Sequence, residues 1–588
     1  MNSKRRNFRI TFAVATVLLL AIAVFLMSVL NNLQGARVDM TDDGLFTMSP
    51  AAVEILQELQ VPVQVKLYIT PSEKMPQQLR TLERDINEQM RNFEGVADGM
   101  LEYSVFNPQD DEEMQQTLMA KGIQPFQVRS VDKDEIGVKL IWSAMTIAYK
   151  DKPEEILPQV LPQNLPALEQ DIIGPVYRLT RDKTPKIAVF GPRKEVDQQL
   201  AMMYMQQGMQ PPAPEDQFTL ISEFLNQEHY EAVPVELTEQ SPIPEDADLL
   251  IVMALTALNQ RQVYEINRAL SGGIPVIMGV QAHEYGYRPG QGQSRGWSIS
   301  GQNIETGLEH LLAGIGIHVS EDHLLDTSME VIDLPREVNL GGLRMQTREP
   351  VQLPVQIRVT ETQMLQDSPL VNRIGTLFYL WGTPVLLDVT KLSENGLQAT
   401  NLIESSSNSW LDSWSEGPLP ASVFSPDGKE MTGPHVLAVL VEGQFPDTFE
   451  TSGVPDWPAD PAAAAEEAPG VTEPPAPVQP QPGQLLVIGS AKMFDNNILG
   501  ASQNALLLMN AVDYMAGSQD LLTIRSKLLT QRVIRPVETG EKLIWRIVVI
   551  LLVPLGLTVF GFMRAGMRRK DATNYRQDLK RNARGASR

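Results

Sequence analysis

At 588 residues, 43% of them apolar and 21% charged, the chain has the composition of a folded globular protein and is too long for one hydrophobic core. The formal net charge of −23 makes nucleic acid an unfavourable partner, and the absence of cysteine excludes disulfides, thiolate metal sites and cysteine nucleophiles. Bases gather at the two ends, with Lys4, Arg5, Arg6 and Arg9 near the start and nine bases against two acids in residues 564–588, so the acid excess lies between them.

Residues 10–30 form an apolar run without a charged side chain, long enough to cross a bilayer as one helix. Arg5, Arg6 and Arg9 precede it, and no A-x-A cleavage signal follows it. It is therefore expected as an uncleaved transmembrane helix, with residues 1–9 cytoplasmic. A second run, 543–563, carries Trp545 at one interface, Pro554 in the middle, and Arg564, Arg568 and Arg569 just beyond it. Two spans from a cytoplasmic N-terminus make 564–588 a basic cytoplasmic tail. The bulk then lies in the periplasm, anchored in the lipid bilayer of a bacterial inner membrane.

Ser49-Pro50 reads as a helix start, with a helix to about Glu58. Strands are predicted at 61–70, 101–106 and 138–149, and helices at 77–93 and 111–121. This order predicts a small α/β domain of thioredoxin-like character over 31–160. It lacks a C-x-x-C pair and hence thiol redox chemistry. A helix at 164–181 leads into a buried strand at 185–191. Further helices at 218–227 and 260–270 alternate with strands at 233–237, 248–253 and 274–278, the last entered through Gly272-Gly273. That grammar predicts a doubly wound parallel sheet, assigned to residues 161–527. Core strands recur at 435–441 and 485–490. The Pro/Ala-rich stretch 451–483 is expected to be a disordered loop, and 528–542 a connector.

Few motifs carry chemistry. There is no G-x-x-x-x-G-K-[ST], so the chain is not a transporter's ATPase, and no H-E-x-x-H. His229, His283, His310, His318, His323 and His435 are scattered, with His318 and His323 the pair that could approach. Ser405-Ser406-Ser407-Asn408-Ser409 lacks a G-x-S-x-G frame and reads as a loop. Met202, Met203, Met205 and Met209 could hold Cu(I) but have no histidine among them, and read as a surface loop. No catalytic residue, metal site or cofactor is predicted. The remaining candidate is a ligand crevice at the carboxyl ends of the parallel strands, marked by Gly191, Met253, Gly279, Gly489 and Ser490. There a helix after Ser490 could offer amides to an anion. Tight turns would account for the same glycines.

Several stretches resemble one family. They are Arg37-Val38-Asp39-Met40-Thr41 followed by Leu45-Phe46-Thr47-Met48-Ser49, the helix-to-strand passage ending at Gly191-Pro192, and most specifically VIGSAKMFDNN at 487–497 with the helix and tail over 504–527. Across roughly residues 37–563 the chain resembles the gliding-motility-type auxiliary component of ABC transporters. Many relatives have Gly-His where this chain has Gly191-Pro192, so any role of that histidine is absent here. The resemblance implies a glutamine-amidotransferase-like fold for the larger domain, used as a scaffold because the cysteine nucleophile is missing. It also implies an ABC permease and a separate ATPase subunit as partners, with a periplasmic protein or envelope substrate bound outside. The expected function is a non-enzymatic, membrane-anchored auxiliary component whose spans dock on the permease. The alternatives are a membrane-tethered hydrolase, a ligand-binding sensor or a structural scaffold of the cell envelope.

Overall fold

The computed structural model describes residues 48–517, apart from 133–134, 182, 195–197, 212–213, 290–296, 341–342, 373, 451 and 459–477, together with 558, 560–570 and 573–574. The chain divides into two compact units, Met1–Thr530 and Gln531–Arg588.

The first unit begins with α1 (Pro50–Gln57), capped by the Ser49 hydroxyl, which accepts from the Ala52 amide at 3.2 Å. A four-stranded sheet follows, in the order β2-β1-β5-β6, built from β1 (Val63–Ile69), β2 (Leu101–Phe106), β5 (Ser143–Ala148) and β6 (Glu155–Leu157). β1 and β2 run parallel around α2 (Leu82–Val96), whose Leu82, Ile86, Met90 and Phe93 recur at helical spacing and are buried. After α3 (Glu112–Ala120), a hairpin of β3 (Phe126–Asp132) and β4 (Glu135–Ile141) precedes β5. The apolar stripe of α4 (Leu168–Thr180), with Leu168, Ile172, Val176 and Leu179, packs into this same core.

The second core is a seven-stranded sheet in the order β10-β7-β11-β12-β25-β24-β21. Its strands are β7 (Lys186–Phe190), β10 (Glu231–Val235), β11 (Leu249–Ala254), β12 (Val276–Val280), β21 (Gln398–Glu404), β24 (Val436–Gln444) and β25 (Pro482–Ile488). The first five in the order are mutually parallel; β24 and β21 join antiparallel. The central strands are apolar throughout because both faces are covered. Ile251 and Met253 face one core, which also takes Ile221 and Leu225 of α6 (Thr219–Gln227) and Leu507, Ala511 and Val512 of α9 (Asn504–Met515). Leu250 and Val252 face the other, with Val263, Ile266 and Leu270 of α7 (Gln260–Ser271) and Leu311 and Ile315 of α8 (Glu309–Ile315). Each such fully buried side chain contributes roughly 1.5–3 kcal/mol. Between β7 and α6 a short insertion pairs β8 (Arg193–Lys194) with β9 (Glu215–Asp216) and carries α5 (Gln198–Gln206), where Met202, Met203 and Met205 are exposed.

Small antiparallel sheets lie beyond the strand ends. They are β13 (His283–Pro289) and β14 (Trp297–Asn303) with β23 (Gly417–Pro418); β15 (Ile317–Val319) with β20 (Val385–Leu387); β16 (His323–Asp326) with β22 (Ser409–Asp412); and the long hairpin of β17 (Met329–Leu340) and β18 (Leu343–Thr360) with β19 (Thr376–Leu380).

The structure corrects the expected pair of transmembrane helices: among the described residues no helix is long and apolar enough to cross a membrane. Residues 10–30 and most of 543–563 lie outside the described residues, as do Arg5, Arg6, Arg9 and Trp545. In the second unit a helix runs over 560–570, with Phe560, Phe562, Met563 and Met567 exposed, and carries Arg564, Arg568 and Arg569. The inner-membrane, periplasmic localisation expected from two spans is withdrawn with them. The fold class is mixed α/β with multiple sheets. Most of the stretch expected as a disordered loop also lies outside the described residues.

Candidate functional site

Met253, Gly279, Gly489 and Ser490 meet at the carboxyl ends of neighbouring strands β11, β12 and β25, and Gly191 follows the end of β7 beside them. Each glycine admits a close neighbour. A Cβ on Gly191 would lie 2.9 Å from the Phe218 ring, and one on Gly279 2.7 Å from the Met253 sulfur. A Cβ on Gly489 would collide with the Thr383 carbonyl and the Tyr379 hydroxyl. The Ser490 hydroxyl donates to the Leu380 carbonyl at 2.7 Å and accepts from the Met493 amide. The Lys492 amide donates to Gln281 Oε1 at 2.9 Å. The two amides following Ala491 are thus already taken by protein groups.

The groups that converge lie just beyond these ends. The chain leaves β12 through Gln281, whose side-chain amide donates to the His283 carbonyl, and enters β13 with His283, Tyr285 and Tyr287 at period two. The pairing of β16 with β22 sets His323 opposite Asp412 and brings Trp414 across both imidazoles. His283 stacks on Trp414 with centroids 3.6 Å apart, and the His323 ring lies 4.7 Å from the same indole. Gly301 makes the room, since a Cβ there would sit 2.8 Å from Trp414. Trp381, held at a positive φ of 56°, donates its indole N–H to the Tyr287 hydroxyl at 2.8 Å. Lys492 closes the basin, 2.9 Å from Asp495, 3.7 Å from Glu284 and 5.6 Å from the centre of the Trp381 ring.

Burial sets the electrostatics. It lowers the His283 pKa to about 4 and lowers that of His323, where Asp412 and Asp322 oppose it. Burial pushes the Tyr287 hydroxyl up to about 12 and raises Tyr285 further. Both histidines are neutral at pH 7, and the hydrogen bonds assign their tautomers. His283 Nε2 meets the Glu321 carbonyl at 2.7 Å, an acceptor only, so Nε2 carries the proton. His283 Nδ1 is left as a buried acceptor without a partner. His323 Nε2 accepts from the Ser415 amide at 3.4 Å, so Nδ1–H donates to the Tyr285 hydroxyl at 2.7 Å. A histidine that protonates only near pH 4 is a poor general base at neutral pH; both imidazoles are fully buried, and the half-exposed indoles of Trp381 and Trp414 are the aromatic faces left to a ligand.

Among the described residues no group of three or more His, Cys, Asp or Glu side chains could hold a metal. His323 turns toward His283, ring centroids 5.6 Å apart, and not toward His318. The serine-rich loop has a structural task. The Ser406 amide donates to Asp326 at 2.8 Å, the Ser406 hydroxyl donates to the same carboxylate, and the Ser405 and Ser409 hydroxyls pair at 2.7 Å. Sequence reasoning missed Tyr285, Tyr287, Trp381, Trp414 and Lys492 as a group. The alternation His283-x-Tyr285-x-Tyr287 was the one local signal.

A search of curated proteins finds no match for this chain. Two solved structures are similar in part. The mmIFT52 N-terminal domain has 12% identity, covers 56% of this chain and 97% of its own, and gives a TM-score of 0.28. A thua-like protein from Bacteroides uniformis has 9% identity, covers 57% and 94%, and gives 0.27. Neither likeness is close enough to bear on function. A domain of unknown function (DUF7088) matches residues 42–148, the first core. Residues 184–518, more than half of the chain and all of the seven-stranded sheet, match the model described as ABC-type uncharacterized transport system; the chain belongs to this family of ABC transporter auxiliary components.

Proposed function

We propose that the chain is a non-enzymatic auxiliary component of the gliding-motility type that associates with an ABC permease and its separate ATPase subunit, and presents the basin around His283 and Trp414 to a transported substrate or partner protein. One observation carries this reading: the family match covers the segment that builds both the seven-stranded sheet and the basin above its strand ends. The chemistry of the basin agrees. Its imidazoles are neutral, its tyrosines resist ionisation, and its one buried cation is already paired. Such a set orients and holds a ligand and has little capacity for proton transfer at pH 7.

The test is affinity purification of the tagged full chain from its native cells in mild detergent, followed by mass spectrometry. Recovery of an ABC ATPase and a multi-span permease at near-stoichiometric levels supports the reading, and recovery of neither overturns it. Trp414→Ala is expected to leave this association intact while weakening transport, because Trp414 belongs to the basin and lies outside the seven-stranded sheet.

A further inference from the structure

A second cleft, of about 190 Å³, opens where the first core meets the seven-stranded sheet. One wall is a single face of α4: Asp171, Gly174, Pro175 and Arg178 recur at i, i+3, i+4 and i+7, and all four line it. The rest of the lining is mixed: Leu157 of β6 and Tyr230 beside β10 are its apolar and aromatic part, and Arg181, Gln227, Glu228 and Asp513 its polar part. Pro175 is in the helix interior, a placement that disfavours the helix by about 3 kcal/mol and removes the N–H that would bond the Asp171 carbonyl. The acid end of this face therefore offers both a carboxyl and a main-chain oxygen.

The other end offers donors. The Arg178 guanidinium lies over Gly174, where a Cβ would stand 3.4 Å from its Nη1. Its Nη2 reaches Glu155 at 3.5 Å, the outer limit of a hydrogen bond, and its Nε is buried and meets no acceptor. Arg178 does not pair with Asp171, whose pKa is governed by burial alone. Asp171 and Arg178 stand two helical turns apart on α4, and the guanidinium reaches back over Gly174, one turn from the acid, across a floor of glycine and proline, each underused. We infer that this cleft binds a small zwitterion of the free α-amino-acid class, with its ammonium at Asp171, its carboxylate at Arg178 and an apolar side chain against Leu157 and Tyr230. An arginine fork matches a carboxylate, and an ammonium needs several oxygen acceptors at close range.

The experiment is isothermal titration calorimetry of the full chain with L-leucine, N-acetylleucine and leucinamide. The expected result is saturable binding of leucine, weakened about tenfold or more when either the ammonium or the carboxylate is blocked. Asp171→Asn should then lower leucine affinity while affecting N-acetylleucine little, and Arg178→Gln should do the same relative to leucinamide. No saturable binding of leucine, glycine or glutamate overturns the proposal, as does equal binding of leucine and both blocked forms. The analogue comparison uses the native chain, so a poorly folded variant cannot obscure it, and it is independent of whether transporter subunits co-purify.

Discussion

The imidazole of His283 lies flat on the indole of Trp414, with ring planes 3° apart and centroids separated by 3.6 Å. The stack shields one face of a ring whose pKa burial lowers to about 4. An unfolded histidine takes its proton near pH 6.5. Between the two values the unfolded chain binds the extra proton, so this contribution to stability is complete above about pH 6.5 and is lost as pH falls toward 4. His323 and His435, also lowered by burial, act in the same direction. Trp414→Ala should let water reach the ring and move its pKa up from about 4 toward 6.5, read by an NMR titration of the imidazole protons. An unmoved pKa would show that the stack is not what desolvates His283.

Lys492 and Asp495 form an ion pair at 2.9 Å with side chains only 11% and 5% exposed. A buried pair is weak evidence of net stabilisation, but removing one partner strands the other. Asp495 keeps the main-chain and side-chain amides of Asn497, at 2.9 and 3.0 Å, but neither carries a charge to balance the carboxylate. Lys492→Met is expected to destabilise the fold by about 3–5 kcal/mol in urea denaturation, with Lys492→Met/Asp495→Asn recovering much of that loss. A double variant as unstable as the sum of both singles would mean that the two side chains do not couple.

Local periodicity made the central elements legible. The helix expected from Ser49-Pro50 forms and is capped by Ser49, because cap chemistry is local. The apolar runs at 248–253 and 274–278 are strands because a segment covered on both faces has no polar positions to hide. The expected strand at 138–149 merged the end of β4 with β5, and β3 was not anticipated; the break at Trp142 between two apolar strands leaves no polar turn to mark it. The basin was illegible for a different reason. His283, His323, Trp381 and Trp414 are up to 131 positions apart in the chain, and their meeting depends on the β16–β22 register and on the space left at Gly301. Long-range register leaves almost no trace in local pattern.

Two glycines at the strand ends should respond differently to alanine. At Gly279 the added Cβ meets the Met253 sulfur at 2.7 Å and the Ala491 Cα at 3.0 Å, and a thioether can move. At Gly489 it meets the Thr383 carbonyl, in the main chain, and the hydroxyl of Tyr379, itself fixed by donating to that carbonyl at 2.7 Å. Gly279→Ala is expected to destabilise by about 1–3 kcal/mol, the usual range for overpacking, and Gly489→Ala by more. Thermal melts of the two purified variants give the order, and the reverse order would place the rigid neighbour at Gly279.

Asp171 opposes the histidines. Burial raises its pKa from 3.8 to about 6, so the folded chain holds its proton more tightly than the unfolded chain does. Its contribution is complete below about pH 4 and is lost as pH rises through 6, the reverse of His283. At pH 7.5 the carboxylate is ionised in a half-buried cleft and disfavours the fold. Asp171→Asn keeps the shape and removes the charge. It should stabilise the protein at pH 7.5 by on the order of 1 kcal/mol, a figure reduced for the partial solvent access of the site, and have almost no effect at pH 4. Because the histidines and Asp171 pull the whole-chain profile in opposite directions, the measurement is the difference in melting temperature between native chain and variant at each pH. A difference flat from pH 4 to 8 would mean that Asp171 titrates normally. A gain in stability at pH 7.5 together with loss of leucine binding in the same variant would separate a binding role for this carboxylate from a folding role, since a residue retained only for the fold would not make the fold weaker.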